Sequence, residues 1–460
     1  MYNKFSSQPI FTNMRRLLLL LFPLVLNQGL YAQNRDSVYR FSLKQAVEFA
    51  LQNQKDVVNA QLDAEISHQK VREITGLGLP QINSSFDVKD FVKIPTSLIP
   101  GEFFGEAPGS YIPIKFGTQY QATAGATLSQ LLFDPTYLLG IRATKTIAEL
   151  SQKSLTRTRI ETAAAVYKAY YGFLVVSQRK NVIDANVVRV KKLRDDTKAL
   201  YDNGFVEKID VDRVTLTYNN LESEQLKFNH LVEITMSMLK FQIGMNLQET
   251  LILTDSIDIQ KVRNLSVVSD KPDASRRIEY SILQTQIQLQ EYNVKRYRSG
   301  RIPTLVAYGN LSTTAYRNQF DVFDQSTSWY PTALIGATLN VPLFDGNQRR
   351  AKIIQENYNL KKIQNELHNF EQAAGLEIDR SRSNLLDALN ALQIQEDNLE
   401  LANEIVKTTR LKYEQGVGTN IEVLDAETKL TESQVNYFNA IYESLIAKID
   451  MEKALGNFNY

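Results

Sequence analysis

The sequence contains no cysteine. That absence excludes disulfides, thiolate metal sites and an N-terminal lipidated cysteine, so stability has to come from packing. Neither sign of charge is in excess, with 52 Lys+Arg against 51 Asp+Glu, and no polyanionic partner such as nucleic acid is indicated. There are only three histidines, His68, His230 and His368, each isolated in a helical segment without a metal-ligand partner at useful spacing. No Gly-x-Ser-x-Gly elbow or phosphate-cradling glycine loop is present. No catalytic, cofactor-binding or metal-binding residue is therefore assigned, and the chain is not read as an enzyme.

Long apolar runs are also scarce. Leu17–Leu26 follows Arg15 and Arg16, with Ala32 before Gln33. The run is too short for a membrane helix, which needs about 20 residues. Its basic leader and small-residue exit mark residues 1–32 as an export signal, with Met14 as a second candidate start. Nothing later is apolar enough for a membrane-crossing helix.

Proline is confined to a few windows. Within the mature chain it falls at 80, 95, 100, 108, 113, 135, 272, 303, 331 and 342, leaving 136–271 and 343–460 free of it. Proline breaks helix interiors, so the two empty tracts are free to be long helices. Pro135 tolerates a first helical position. From there to Asn203, and from Asp345 to Gln415, a helix would run roughly 100 Å. Shorter helices are expected over Leu43–Thr75, Ile209–Gln242, Ala274–Ser299 and Ile421–Leu455, about 40–50 Å each. Ser42 and Gln45 are spaced as a capping box. Leu385, Leu392, Leu399 and Val406 recur every seven residues. Leu424, Thr428, Thr431, Val435, Phe438, Tyr442, Leu445 and Ile449 step by four and three, as a coiled-coil seam does.

The proline-bearing windows alternate instead. Strands are expected over about 81–94, 117–133, 304–316 and 329–343, with Ile82, Phe86, Ala122, Leu128, Leu305, Leu311, Ile335 and Leu339 on one face. Such alternation suits a membrane β-strand and equally a two-sided sheet in a soluble domain. Tyr120, Tyr308, Trp329 and Tyr330 stand where a membrane-interface aromatic girdle would fall. If the strands do lie in lipid, four cannot close a barrel, and an open edge leaves backbone groups unpaired. The chain must then oligomerise; two copies would supply eight strands and three would supply twelve.

The chain is duplicated. Gly125–Asp134 returns as Gly336–Asp345 (345 − 134 = 211), and Gly204 and Gly244 return as Gly416 and Gly456 (416 − 204 = 212). The expected organisation is a first repeat over 33–245 with a tip turn near 204, a linker over 246–271, and a second repeat over 272–460 with a tip turn near 416.

Four segments resemble the TolC family of outer-membrane efflux ducts. They are Phe41–Asn53 as the opening helix, Arg298–Thr304 as a helix-to-strand joint, Gly336–Gly346 as the strand-to-helix joint, and Gly416–Ala426 as the tip turn. The resemblance implies a mainly α fold with a small β part. Three copies would form a twelve-stranded outer-membrane barrel continued by a coiled-coil tunnel through the periplasm. It implies passive conduction, energised by an inner-membrane pump of the RND or ABC type through a periplasmic adaptor, with outer-membrane lipid as the remaining partner. The chain stops four residues after Gly456, so a C-terminal collar around the tunnel would be short. In the family, acids near the tip line a constriction, and the matching positions are Asp210, Glu422 and Asp425. Arg213 is the repeat equivalent of Asp425 (425 − 212 = 213) and a candidate partner for Asp210 of a neighbour. Thr419–Glu422 is also a capping-box pattern, which would explain Glu422 without a pore. Gly204 and Gly416 would reverse the descending helices, Gly418 would add freedom to the second turn, and all three would sit where an adaptor docks. Pro95–Pro113, carrying Phe103, Phe104 and Tyr111, is read as an extracellular loop of ordinary chemistry, the alternative being a barrel plug or a receptor for phage and toxins. A periplasmic coiled-coil adaptor without a pore is the competing reading.

Overall fold

A computed structural model describes residues 38–257, 273–324, 327–458 and 460. The export signal lies outside the described residues, as does the expected linker from residue 258 onward. Among the described residues the chain runs twice along one path: a helix toward a sheet, two long strands, a very long helix, a tight turn and a returning helix. The first pass comprises β1 (Val38–Phe41), α1 (Leu43–Asn53), α2 (Lys55–Gly76), β2 (Gln81–Asp90), β3 (Thr96–Pro100), β4 (Tyr111–Lys115), β5 (Tyr120–Phe133), α3 (Pro135–Asp202) and α4 (Lys208–Gln242). The second comprises β6 (Thr250–Leu253), α5 (Ile278–Ser299), β7 (Thr304–Arg317), β8 (Trp329–Asn340), α6 (Gln348–Glu414) and α7 (Asn420–Ala454). Both long helices reach roughly 100 Å at 1.5 Å per residue. No described helix is long and apolar enough to cross a membrane.

The start signals work as their chemistry requires. Asp134 accepts from the backbone N–H of Thr136 at 2.7 Å and Tyr137 at 3.3 Å, with Pro135 in the first turn of α3. The Ser42–Gln45 and Thr419–Glu422 capping boxes both form.

The helix expected over Leu43–Thr75 is instead two, broken at Gln54, whose ψ of 132° is extended. At the break the Gln54 side chain caps α2, accepting from the backbone N–H of Asp56 and Val57. Gly244, at φ +75°, ends α4 directly against this backbone, and a Cβ there would lie 2.6 Å from the Asn53 carbonyl oxygen. The second repeat does the same. The helix expected from Ala274 starts as a 3₁₀ turn, resumes as α5 after extended Arg277, and meets Gly456 at φ +71°, where a Cβ would lie 3.0 Å from the Arg276 carbonyl.

β1 and β6 form a two-stranded parallel ladder, Val38 opposite Thr250 through Phe41 opposite Leu253. Their separation (250 − 38 = 212) is the period of the duplication, so repeat-equivalent strands pair with each other. Thr250–Leu253 is thus the second repeat's opening strand, inside the segment read as a linker. Around this ladder sits the largest core, with Val47, Tyr170, Leu239, Ile243 and Leu251 buried together and Phe458 closing it from the C-terminal end.

The four long strands form one antiparallel sheet in the order β2-β5-β7-β8. The outer two end at Asp90 and Asn340, short of the limits near 94 and 343 expected for them. The register (Ile82 opposite Leu128, Ala126 opposite Leu311, Gly309 opposite Ile335) gathers the apolar positions of all four strands on one face. The other face carries cross-strand polar contacts, Thr123 to Thr314 at 3.2 Å and Asn310 to Thr127 at 2.9 Å. By the same alternation Tyr120 and Trp329 fall on the apolar face, whereas Tyr308 and Tyr330 fall on the polar one. Tyr308 lies across Gly336, where a Cβ would meet its ring at 2.7 Å.

Pro95–Pro113 is not simple loop. β3 and β4 pair as a hairpin from Thr96–Lys115 to Pro100–Tyr111, leaving Phe103, Phe104 and Tyr111 exposed. Beyond β7, Phe320 and Phe323 return to the apolar face, with ring centroids 5.5 Å from Tyr120 and 5.9 Å from Phe86.

Candidate functional site at the tip of the two helical hairpins

Helices α3 and α4 form one hairpin and α6 and α7 the other. The first zips through Ile183, Val187, Val190, Val214, Leu221 and Phe228, and the second through Ala402, Val406, Ala426 and Leu430. The recurring Leu385, Leu392 and Val406 of α6 are buried as their spacing indicates. The stripe read on α7 holds at Phe438, Leu445 and Ile449, although Tyr442 between them is 38% exposed, and it does not hold below Phe438. There the buried residues are Val423, Ala426, Glu427 and Leu430, while Thr428 is exposed. An α-helix drifts about 20° per heptad against a strict seven-residue repeat, so a single line of positions does not keep facing one partner over the whole of α7.

Each long helix stops in a left-handed glycine. Gly204 has φ +78° and donates to the Tyr201 carbonyl at 2.8 Å; Gly416 has φ +75° and donates to that of Tyr413 at 3.0 Å. Phe205 and Val417 then bond back to Leu200 and Lys412, closing a Schellman-type end. Gly418 differs from the role expected of it. Its φ is not positive, and a Cβ there would press to 3.0 Å on the Tyr413 nitrogen and 3.1 Å on the Lys412 side chain. It permits close approach rather than unusual backbone freedom. Valine at Gly416 is expected to cost about 1–2 kcal/mol through the left-handed strain. It should impair export by a complemented deletion strain while unheated gels still show the assembled protein. Unchanged transport would remove the tip assignment.

The acidic candidates are placed as follows. Asp210, in the first turn of α4, lies 3.8 Å from Arg213 of the same helix. Its backbone carbonyl accepts from Asn420 Nδ2 at 3.3 Å, which ties the start of α4 to the start of α7. Asp425 is exposed and holds Lys429 at 2.7 Å, one turn on, raising the lysine above its ordinary range. Glu422 closes the capping box at Thr419. Among the described residues Asp425 does not pair with Arg213, and the polar partners of Glu422 and Asp425 lie within or next to α7.

A different carboxylate joins the hairpins. Glu427 on α7 is 4% exposed at its side chain and ion-pairs with Arg410 of α6, and with Arg189 of α3 at 3.7 Å. Arg189 also donates to Asn186, which in turn donates to Gln434 at 2.8 Å and Thr431 at 3.3 Å. Three helices from both hairpins thus converge on one buried acid. The repeat equivalent of Glu427 is Thr215 (427 − 212 = 215), so the first repeat has no counterpart. Sequence reading passed over Glu427 because it took the α7 stripe one position too late. A carboxylate between Val423 and Leu430 in a buried stripe is the signal that would have found it.

Beside this cluster is a cleft of about 730 Å³, walled by Arg189, Leu200, Phe205, Arg410, Tyr413 and Gly418. The hydroxyl of Tyr413, on its wall, and the side-chain oxygen of Asn420, at the start of α7, are buried without a hydrogen-bond partner among the described residues. Among the described residues no group of His, Asp and Glu is arranged to hold a metal ion.

Comparison with known proteins gives the same outline. The sequence profile of the outer membrane efflux protein family matches residues 281–457. The outer membrane protein TolC of Vibrio cholerae is 20% identical over 344 residues, covering 73% of this chain and 77% of that protein. The alkaline protease secretion protein AprF of Pseudomonas aeruginosa is 20% identical over 349 residues, covering 72% and 71%. Among solved structures, VceC of Vibrio cholerae superposes with a TM-score of 0.69 at 14% identity, covering 90% of this chain and 96% of that one. The Campylobacter jejuni CmeC outer membrane channel gives 0.71 at 15%, covering 91% and 86%.

The duplicated long hairpins and the four-stranded sheet they carry are the fold of these outer-membrane channels. Over residues 281–457 the chain matches the outer membrane efflux protein family, and it is similar to TolC over about three quarters of its length.

Proposed function

We propose that this protein is the outer-membrane exit duct of a tripartite efflux or type I secretion system, built from three copies. It conducts substrates passively from periplasm to exterior, driven by an inner-membrane RND or ABC transporter through an adaptor docked at the tip. The observation that carries this reading is the sheet. Among the described residues β2 and β8 each keep one edge without a strand partner, and the sheet's apolar face is exposed, with Ile335 at 94%, Ile82 at 73% and Leu311 at 63%. Lipid tolerates an apolar face but not an open edge, so strands of further copies must continue the sheet until it closes. The helices make the same demand. Phe241, Met238 and Leu216 on α4 and Leu376, Ile394 and Leu401 on α6 are exposed apolar residues in long solvent-facing stripes, more than an isolated subunit would leave uncovered.

In this reading residues 1–32 are removed on export, the repeats lie over 33–245 and 272–460, and three tips meet to form the periplasmic mouth. Asp210, Glu422 and Asp425, each present three times, set its charge. A ring of like carboxylates in a narrow pore favours cations. Gly204, Gly416 and Gly418 shape the surface that the adaptor meets. Tyr120 and Trp329 reach the lipid interface, while Tyr308 and Tyr330 face the lumen.

The experiment is to add detergent-purified protein to a planar lipid bilayer and to challenge a deletion strain with dyes, detergents and metals. Stepwise cation-selective conductance together with a sensitised strain is the expected result. A protein that never conducts, from a strain with unaltered tolerance, would refute the duct.

A further inference from the structure

The two strand-to-helix joints share an apolar belt but differ in charge. At the first, Leu132 and Phe133 are 54% and 46% exposed; at the second, Leu343 and Phe344 are 91% and 83% exposed. The second alone adds arginines. Arg301, Arg349 and Arg350 line a cleft of about 290 Å³ with Leu343, Phe344 and Asp345. Arg349 holds Asp345 at 3.2 Å. Arg301 and Arg350 are exposed, and neither has an ion-pair partner among the described residues. Three guanidinium groups facing one carboxylate leave the cleft strongly cationic.

The duplication shows that the shared fold does not require this charge. By the offset of the joints (345 − 134 = 211), Arg349 and Arg350 correspond to Leu138 and Leu139. By the offset of the preceding prolines (303 − 80 = 223), Arg301 corresponds to Gly78. There the space is filled. Tyr137 donates to the Thr75 carbonyl at 2.9 Å and covers Gly78, where a Cβ would lie 2.1 Å from its hydroxyl. The equivalent of Tyr137 is Gln348 (137 + 211 = 348), and the second joint stays open.

The geometry points to a binding site for an anionic phospholipid at this second joint, its phosphate between Arg301 and Arg350 and its acyl chains along Leu343 and Phe344. This rests on the membrane placement proposed above, which sets the ends of β7 and β8 at the periplasmic face of the bilayer. Guanidinium groups match phosphate oxygens in a bidentate fashion, and basic side chains at a membrane surface select anionic headgroups. Free phosphate would satisfy the arginines but leave the two apolar side chains in water, so the lipid is the better-matched occupant.

Native mass spectrometry of the detergent-purified protein, titrated separately with phosphatidylglycerol, phosphatidylcholine and inorganic phosphate, reads the site directly. Phosphatidylglycerol should be retained about tenfold more than phosphatidylcholine, and phosphate alone should not be retained. In the Arg301→Gln/Arg350→Gln double variant the preference should fall to near unity, with phosphatidylcholine retention and oligomeric mass unchanged. Equal retention of the two lipids, an undiminished preference in the variant, or variant-sensitive retention of phosphate by itself would each overturn the assignment. If the protein instead disperses without detergent, the membrane placement fails, and the lipid site with it.

Discussion

Lysine in place of Ile335 is expected to abolish assembly into the membrane, whereas lysine in place of Thr332 on the same strand should be tolerated. Ile335 stands on the apolar face opposite Gly309, and Thr332 on the polar face opposite Ser312. A lysine facing lipid near the bilayer midplane costs about 2–4 kcal/mol per copy. In the proposed three-copy barrel this becomes roughly 6–12 kcal/mol, comparable to the whole stability of a typical domain. A lysine facing a water-filled lumen pays little desolvation. The comparison is read from the detergent-extractable membrane fraction and from unheated gels. Equal losses for the two substitutions would mean that the two faces are not divided between lipid and water.

The second large effect belongs to Glu427. Alanine there leaves Arg189 and Arg410 facing each other without their shared carboxylate. Breaking a buried ion pair from one side costs about 3–5 kcal/mol. The arginine side chains are 32% and 34% exposed, and solvent screening moves the expectation to the lower end, about 3 kcal/mol. Because the triad joins α3 to α6 and α7, the loss falls on the contact between hairpins. A shift of about 100-fold from packed toward parted hairpins follows, at 1.4 kcal/mol per factor of ten. In planar bilayers Glu427→Ala should therefore raise the time-averaged conductance. Glu422→Gln, which touches only the cap of α7, should leave it near the wild-type level. An increase for Glu422→Gln with none for Glu427→Ala would place the restraint on the exposed acids instead.

Local chemistry made most of the fold legible. Proline positions separated strand windows from helix tracts, Pro135, Ser42 and Thr419 marked helix starts, and Gly204 and Gly416 marked helix ends. Period-two alternation put Ile82, Leu128, Leu311 and Ile335 on one face before any register was known. What escaped was set by contacts distant in sequence. The break at Gln54 lies where Gly244 packs, and its local mark is only a glutamine cap, an uncommon start signal. The β1–β6 ladder joins strands one repeat apart, and four-residue strands carry too little alternation to be recognised. Gly418 looked like a source of backbone freedom, yet its neighbour Lys412 explains it better. Tyr308 and Tyr330 were grouped with Tyr120 and Trp329 because aromatic content alone does not distinguish the two sides of a strand. Glu427 was hidden by a one-residue error in the register of α7, which was enough to exchange a buried acid for the exposed Thr428.

Closure of the sheet between copies is open to direct measurement, because the native chain has no cysteine to interfere. One cysteine is placed in β2 at Ser85 and a second at successive positions from Thr332 to Thr338 in β8, followed by oxidation in intact membranes. Covalent species of two and three chains should form at one or two adjacent registers and vanish on reduction, with no cross-link when both cysteines of a pair lie in β2. Chains that remain single at every position, though properly inserted, would contradict a barrel shared between copies.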